Sequence, residues 1–173
     1  MPIFCTLHFA PEKRLARLIE NIASARYVRA DLYPTEPSIE KMDMLNVPYE
    51  SDTFDIVIAN HVLEHVSDDL RALSELHRVL KQGGIAILQT LYSAKLMSTF
   101  QDPGIDSDLA RVHVYGQENH VRLYGTDIFS RFSSSGLVSE VRTHSDTLED
   151  IDYVKHGVNP REPLFLFRKA VIA

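Results

Sequence analysis

The stretch Phe54-Asp55-Ile56-Val57-Ile58-Ala59-Asn60 limits the folds open to this chain more than any other. It is apolar on both alternating faces, which suits a central strand of a parallel sheet covered on two sides rather than a surface strand. A parallel neighbour requires a crossover connection, and a helix is well marked just downstream. Ser67 predicts an N-cap, Asp68 and Asp69 suit the positive end of a helix dipole, and Leu70, Leu73, Leu76, Val79 and Leu80 recur at helical spacing. Lys81 and Gly83 predict its end, the glycine being suited to a left-handed cap. Residues 84–91 then read as the next strand.

The flanking sequence continues the alternation. Residues 3–10 read as a strand, Pro11 fits a first helical turn, and Leu15, Leu18, Ile19 and Ile22 repeat as a helix would. A second strand spans 27–32 and ends at Asp31, with a weakly signalled third within 38–47. Residues 126–135 predict a helix capped by Thr126 and stopped by Gly136, and 137–143 with 164–172 predict a closing pair of strands around an exposed linker, 145–163. The fold class is therefore α/β: an open, doubly wound, Rossmann-like sheet, mostly parallel, with helices on both faces and an antiparallel closing strand. Its 173 residues fit a single domain. Residues 92–125, with Pro103, Gly104, Gly116 and Gly125, interrupt the pattern and predict an irregular lid or insertion.

Composition narrows the function classes. A formal charge of −6 disfavours nucleic acid as a partner, and Lys13, Arg14 and Arg17 read as one solvated helix face. No apolar run is long enough to span a bilayer, and no signal-peptide pattern opens the chain. The single cysteine, Cys5, excludes an internal disulfide and a cysteine-based zinc cage, and reads as a small buried hydrophobe. The expectation is a cytoplasmic protein acting on a small molecule, with no membrane or nucleic-acid partner.

Ligands of open α/β sheets bind beyond the carboxyl ends of the strands. Asp31 at such an end is suited to accept both hydroxyl protons of a ribose. Residues 41–91, KMDMLNVPYESDTFDIVIANHVLEHVSDDLRALSELHRVLKQGGIAILQTL, resemble the second half of the cofactor domain in the type 11 methyltransferase family, within class I. The resemblance extends more loosely over 7–136. It implies S-adenosylmethionine as cofactor and S-adenosylhomocysteine as product, with Asp31 and Leu32 at the ribose and Asp43 and Met44 at the adenine. It places Asn60 and His61 at the methionine end and the reacting methyl, and lets Glu12 orient the ammonium group.

The first loop, Leu7-His8-Phe9-Ala10-Pro11-Glu12, departs from that family, whose members have glycines where this chain has none. It is similar to a subgroup with an LHFAPE stretch, which implies that His8 and Ala10 still border the cofactor. The same subgroup shares a GQxxHVRxYG segment like residues 116–125. Tyr92, Tyr115, Arg122 and Tyr124 cluster in or near the lid as candidate substrate contacts, and His120 in the lid and His61 after the fourth strand are the candidate catalytic residues. Relatives usually carry a preceding roof over the pocket, so either the 92–125 lid or a second copy in a homodimer is expected to supply the cover, or the site is open.

Three rivals stand beside an enzyme that methylates an oxygen or nitrogen of a small metabolite. A catalytically silent module working through a partner protein fits the glycine-free loop. A nicotinamide-dependent oxidoreductase shares the strand-end acid but lacks the G-x-G-x-x-G loop. His-Val-Leu-Glu-His at 61–65 formally matches a zinc-peptidase motif, which needs both histidines on one helix face; here it directly follows a strand, so no metal is expected.

Overall fold

The computed structural model describes residues 4–22, 26–143, 146, 152–156, 159 and 163–171. Five strands run parallel: β1 (Cys5–Phe9), β2 (Arg26–Asp31), β3 (Glu40–Lys41), β4 (Phe54–Ala59) and β5 (Leu80–Ile87). Four short strands follow: β6 (Leu137–Ser139), β7 (Arg142–Thr143), β8 (Pro163–Leu164) and β9 (Leu166–Lys169). The seven-stranded sheet has the order β3-β2-β1-β4-β5-β9-β6, with β9 antiparallel to both neighbours, and β7 pairs β8 separately. Strand order reverses between β1 and β4, so a crevice belongs at their carboxyl ends.

The predicted alternation has a physical counterpart in the core. Leu7, Val57 and Ala86 from adjacent strands are fully buried, and helix α2 (Asp69–Val79) lays Ala72, Leu73, Leu76 and Val79 against them in one core cluster. Each such leucine or valine contributes roughly 1.5–3 kcal/mol by leaving water. Helix α1 (Lys13–Glu20) is more weakly anchored. It buries Ala16, while Leu18 and Ile22, both expected in its apolar stripe, are exposed.

Several boundaries differ from the expectations. The cap of α2 is Asp68, whose side chain accepts the Arg71 N–H at 3.0 Å, and Ser67 is left outside the helix. Leu70 is exposed. The helix runs straight into β5, so Gly83 serves a bulge in that strand rather than a helix cap, with φ +74°. Gly84 is required there by space, because a Cβ would sit 2.8 Å from the Lys81 carbonyl oxygen.

Residues 92–125 are not wholly irregular. They contain helix α3 (Asp108–Tyr115), capped by Ser107 and ended by Gly116 at φ +87°, and bridges join Tyr92 to Tyr124 and Phe100 to Leu123. Helix α4 (Ile128–Ser133) starts two residues later than Thr126, whose hydroxyl instead donates to the Met97 carbonyl. Helix α5 (Tyr153–His156) lies in the expected linker, most of which, like Ile3 and Ile172, is outside the described residues. Among the described residues no helix is long and apolar enough to cross a membrane.

Candidate functional site

The glycine-free loop turns as a glycine would. Ala10 adopts φ +46°, and its N–H donates to the Ala30 carbonyl at 2.9 Å. An L-residue held in this region costs about 1 kcal/mol. Around the turn the polar side chains form a closed group. His8, fully buried, has Nδ1 2.6 Å from the Tyr27 hydroxyl and Nε2 2.6 Å from Glu12 Oε2. Glu12 Oε1 accepts from Asn60 Nδ2 at 2.9 Å. Burial pushes the Glu12 carboxyl up, but the bonds from His8 and Asn60 outweigh it and hold it at about 2. Burial drives the Tyr27 hydroxyl up to about 12. His8 therefore supports the loop from behind and is not part of the lining of the cavity beside it, where it was expected. Asn60 Oδ1 is buried with no partner among the described residues.

Beside this group, beyond the ends of β1, β2 and β4, lies a cavity of about 590 Å³. Ala10, Asp31, Leu32 and Tyr33 form one side, Met42, Asp43, Met44 and Leu45 a second, and the turn after β4 with Asn119 the third. Asp31 Oδ1 accepts the Tyr33 N–H at 2.8 Å, and Asp43 Oδ1 accepts the Leu45 N–H at 2.8 Å. Each local turn fixes a carboxylate by one oxygen. No described group is bonded to the other oxygen of either acid. Met42 and Met44 are buried and give the site an apolar wall. Of the expected cofactor set, Ala10, Asp31, Leu32, Asp43, Met44 and His61 thus line one cavity, whereas His8, Glu12 and Asn60 form the adjoining hydrogen-bonded group.

His61 opens the turn after β4 at φ +53°, and its N–H donates to the Gln89 carbonyl at 2.7 Å. Its Nδ1 lies 3.3 Å from Glu64 Oε1, and Glu64 Oε2 accepts the Thr90 hydroxyl at 2.7 Å. Burial pushes the Glu64 carboxyl up, and the bonds from His61 and Thr90 more than reverse that, keeping it ionised. His65, Val66, Ser67 and Asn119 also line the cavity, as does Tyr33; the sequence reading did not assign them to it. For Tyr33, His65, Val66 and Ser67 the signal was position alone, past the ends of β2 and β4, and Asn119, from the 92–125 segment, had none. Neither His61 nor His65 lies on a helix, so the zinc-peptidase geometry is absent.

The substrate and base assignments in 92–125 need correction. His120 is buried, with Nδ1 3.1 Å from the Tyr115 carbonyl oxygen, and reaches the cavity only through the ring of His65. Arg122 is buried and donates to the carbonyls of Leu63, Val66 and Ser67 at 2.6, 2.5 and 3.0 Å. The Tyr124 hydroxyl donates to Asp69 Oδ2 at 2.9 Å, and Arg131 grips the same carboxylate at 2.7 and 2.6 Å. Tyr115 engages the backbone of Asp102, and Tyr92 packs edge-on against Phe129 and Phe165. Tyr92, Arg122 and Tyr124 fasten the segment to the core, Tyr115 braces it internally against Asp102, and none of the four lines the cavity.

Residues 12–88 match the family described as "Methyltransferase domain". Demethylmenaquinone methyltransferase of Staphylococcus epidermidis is 44% identical over 45 residues, 26% of this chain and 19% of that protein. The Bacillus subtilis protein named "Uncharacterized methyltransferase YcgJ" is 31% identical over 119 residues, 68% of this chain and 45% of that protein. The chain spans less than half the length of these two curated relatives. Among solved structures, the 1,6-didemethyltoxoflavin-N1-methyltransferase of Burkholderia thailandensis, with bound 1,6-didemethyltoxoflavin and S-adenosylhomocysteine, aligns with a TM-score of 0.64. That alignment has 13% identity and covers 98% of this chain and 72% of the other. The fold is that of a Rossmann-like methyltransferase. Within this methyltransferase fold the family match takes in Asp31, Asp43, Asn60 and His61 and stops at Leu88, before the 92–125 segment.

Proposed function

We propose that the cavity beyond β1, β2 and β4 binds S-adenosylmethionine and that the chain transfers its methyl group to an oxygen or nitrogen of a small molecule, leaving S-adenosylhomocysteine. The observation that carries this reading is the pairing of Asp31 and Asp43 on one apolar-walled cavity, each with a carboxylate oxygen left unengaged by described groups. Such an oxygen suits ribose hydroxyls at Asp31 and an exocyclic amine at Asp43. Asn60 Oδ1, without a partner among the described residues, suits an ammonium donor, because Nδ2 already points to Glu12 and fixes the amide's orientation.

S-Adenosylmethionine supplies the methyl on a sulfonium, as an electrophilic carbon open to in-line attack. The chain's own contribution is alignment, which is the larger part of what such a displacement needs. His61, held by Glu64, takes up the proton that a hydroxyl or amine loses on methylation. The single cysteine fits a cytoplasmic setting, and the exposed Leu18 and Ile22, four residues apart, fit a homodimer face; a purely monomeric molar mass in solution would overturn the latter. The Staphylococcus relative is named for demethylmenaquinone, which puts quinones in the first substrate panel.

Calorimetry with S-adenosylmethionine and S-adenosylhomocysteine tests the reading. Wild type is expected to bind both, and Asp31→Ala to lose binding at unchanged melting temperature. One observation favours a second reading, the silent module: both Glu12 oxygens are already taken by His8 and Asn60. A flat titration with the wild type would select it.

A further inference from the structure

The turn after β4 and the returning end of the 92–125 segment bring three metal-competent side chains together. One donor atom from each of Glu64, His65 and His120 lies within 4.8 Å of the other two. We propose that these residues form a site for one divalent transition-metal ion of the zinc class, which clamps the returning segment to the rim of the cavity.

The hydrogen bonds set up both rings as ligands. His65 Nδ1 is 3.3 Å from the Asn119 carbonyl oxygen, and His120 Nδ1 is 3.1 Å from that of Tyr115. A carbonyl only accepts, so each Nδ1 carries a proton, and Nε2 is the ring atom each histidine has to offer a metal ion. Metal-binding histidines are held in this way, by a backbone carbonyl on the opposite nitrogen. Glu64 contributes an anion at 2% side-chain exposure. His61 and Thr90 occupy one lone pair on each of its oxygens, which leaves a further pair on each for a cation.

The donor set decides the class of ion. Two imidazoles and one carboxylate form a mixed nitrogen–oxygen set that suits zinc and its first-row neighbours better than calcium or magnesium, which prefer oxygen alone. Ligand bonds of roughly 2.0–2.2 Å draw tetrahedral donors to roughly 3.4 Å apart, within reach of side-chain rotation from the present spacing. His65 lines the cavity, so a fourth coordination position opens toward it. The ion would reinforce the junction where the Val121 N–H donates to the Glu64 carbonyl at 3.0 Å. This ligand set differs from the H-x-x-E-H motif: His61 is replaced by His120, 55 positions beyond His65, and no helix carries it.

The test uses the whole chain, dialysed against a chelator and titrated with Zn²⁺ or Co²⁺ in the absence of any nucleoside, so its result does not depend on the methyltransferase reading. Expected are uptake of one ion per chain, a visible d–d band with Co²⁺, and a raised melting temperature. His65→Ala, at a half-buried position, and Glu64→Gln are each expected to weaken binding at least about tenfold, and the exposed His113→Ala to leave it unchanged. Melting of the metal-free variants checks that they fold, and His120→Ala serves if one does not. No uptake by the wild type, or uptake equally strong in folded His65→Ala and Glu64→Gln, would overturn the site.

Discussion

The turns at the ends of β1, β2 and β4 and the segment 92–125 are both rich in polar side chains, but they use them in opposite ways. At the strand ends, Asp31 and Asp43 each spend one oxygen on a local turn and, among the described residues, keep the other unengaged, as Asn60 does a buried amide oxygen. In the segment, Arg122 and Tyr124 direct their polar groups at carbonyls and a carboxylate of the chain itself, with no exposure to the cavity. Incomplete bonding within the chain marks a surface built to receive something, and complete bonding marks a fastener. The distinction separates the two regions where clustering of polar residues does not.

The largest effect that can break this comparison is expected at Arg122. Arg122→Met strands three carbonyls and removes a cation 3.8 Å from buried Asp69, and should lower stability by about 4 kcal/mol in urea unfolding. A variant of wild-type stability with a raised KM would restore the substrate role. Next comes Asp31→Asn, which keeps the shape and removes the charge. Loss of charge-assisted bonds worth about 2 kcal/mol should weaken nucleoside binding about thirtyfold in calorimetry, with the melting temperature unmoved. A melting temperature that falls with the affinity would place Asp31 among the fasteners.

The sheet was legible because burial on both faces of β4 leaves an apolar trace at every residue but Asp55, and α2 repeats that trace at its own period. Asp31 was legible as a cavity residue because strand ends converge in this topology, and Asp43 only through the family resemblance of residues 41–91. Arg122 was not. A guanidinium that saturates backbone carbonyls is written nowhere in a linear spacing, since Leu63, Val66 and Ser67 lie more than 50 positions away. Ala10 was misleading for the converse reason. Backbone restriction was expected at a residue whose surroundings instead force the left-handed turn.

Smaller effects sharpen the contrast. Tyr124→Phe removes the hydroxyl from Asp69 while Arg131 remains, so about 1 kcal/mol should be lost in unfolding, with nucleoside affinity unchanged. Glu12 supplies an acid-linked counterpart at the strand ends. Its ordinary value of 4.5 falls to about 2 in the folded chain, so the folded state binds its proton less readily. The resulting stability is fully present above pH 4.5 and drains away as pH falls toward 2. The side chain is 44% exposed, so solvent screening holds the effect to about 1 kcal/mol or less. Glu12→Gln should flatten that limb of the pH–stability curve, and Tyr124→Phe should leave it in place.

The smallest effect tests the turn on which the cavity depends. Ala10 carries a positive φ in a loop where it lines the cavity, and its N–H bond to Ala30 ties the loop to β2. Ala10→Gly relieves the steric penalty of about 1 kcal/mol but returns part of it as conformational entropy in the unfolded chain. A net gain of about 0.5 kcal/mol in urea unfolding is expected, with nucleoside affinity equal to wild type, because the alanine already holds the geometry that glycine permits. A loss of stability would mean that the loop has an ordinary negative φ at this position. The crevice beside Asp31 would then have a different shape, and the contrast between receiving and fastening regions would lose its first member.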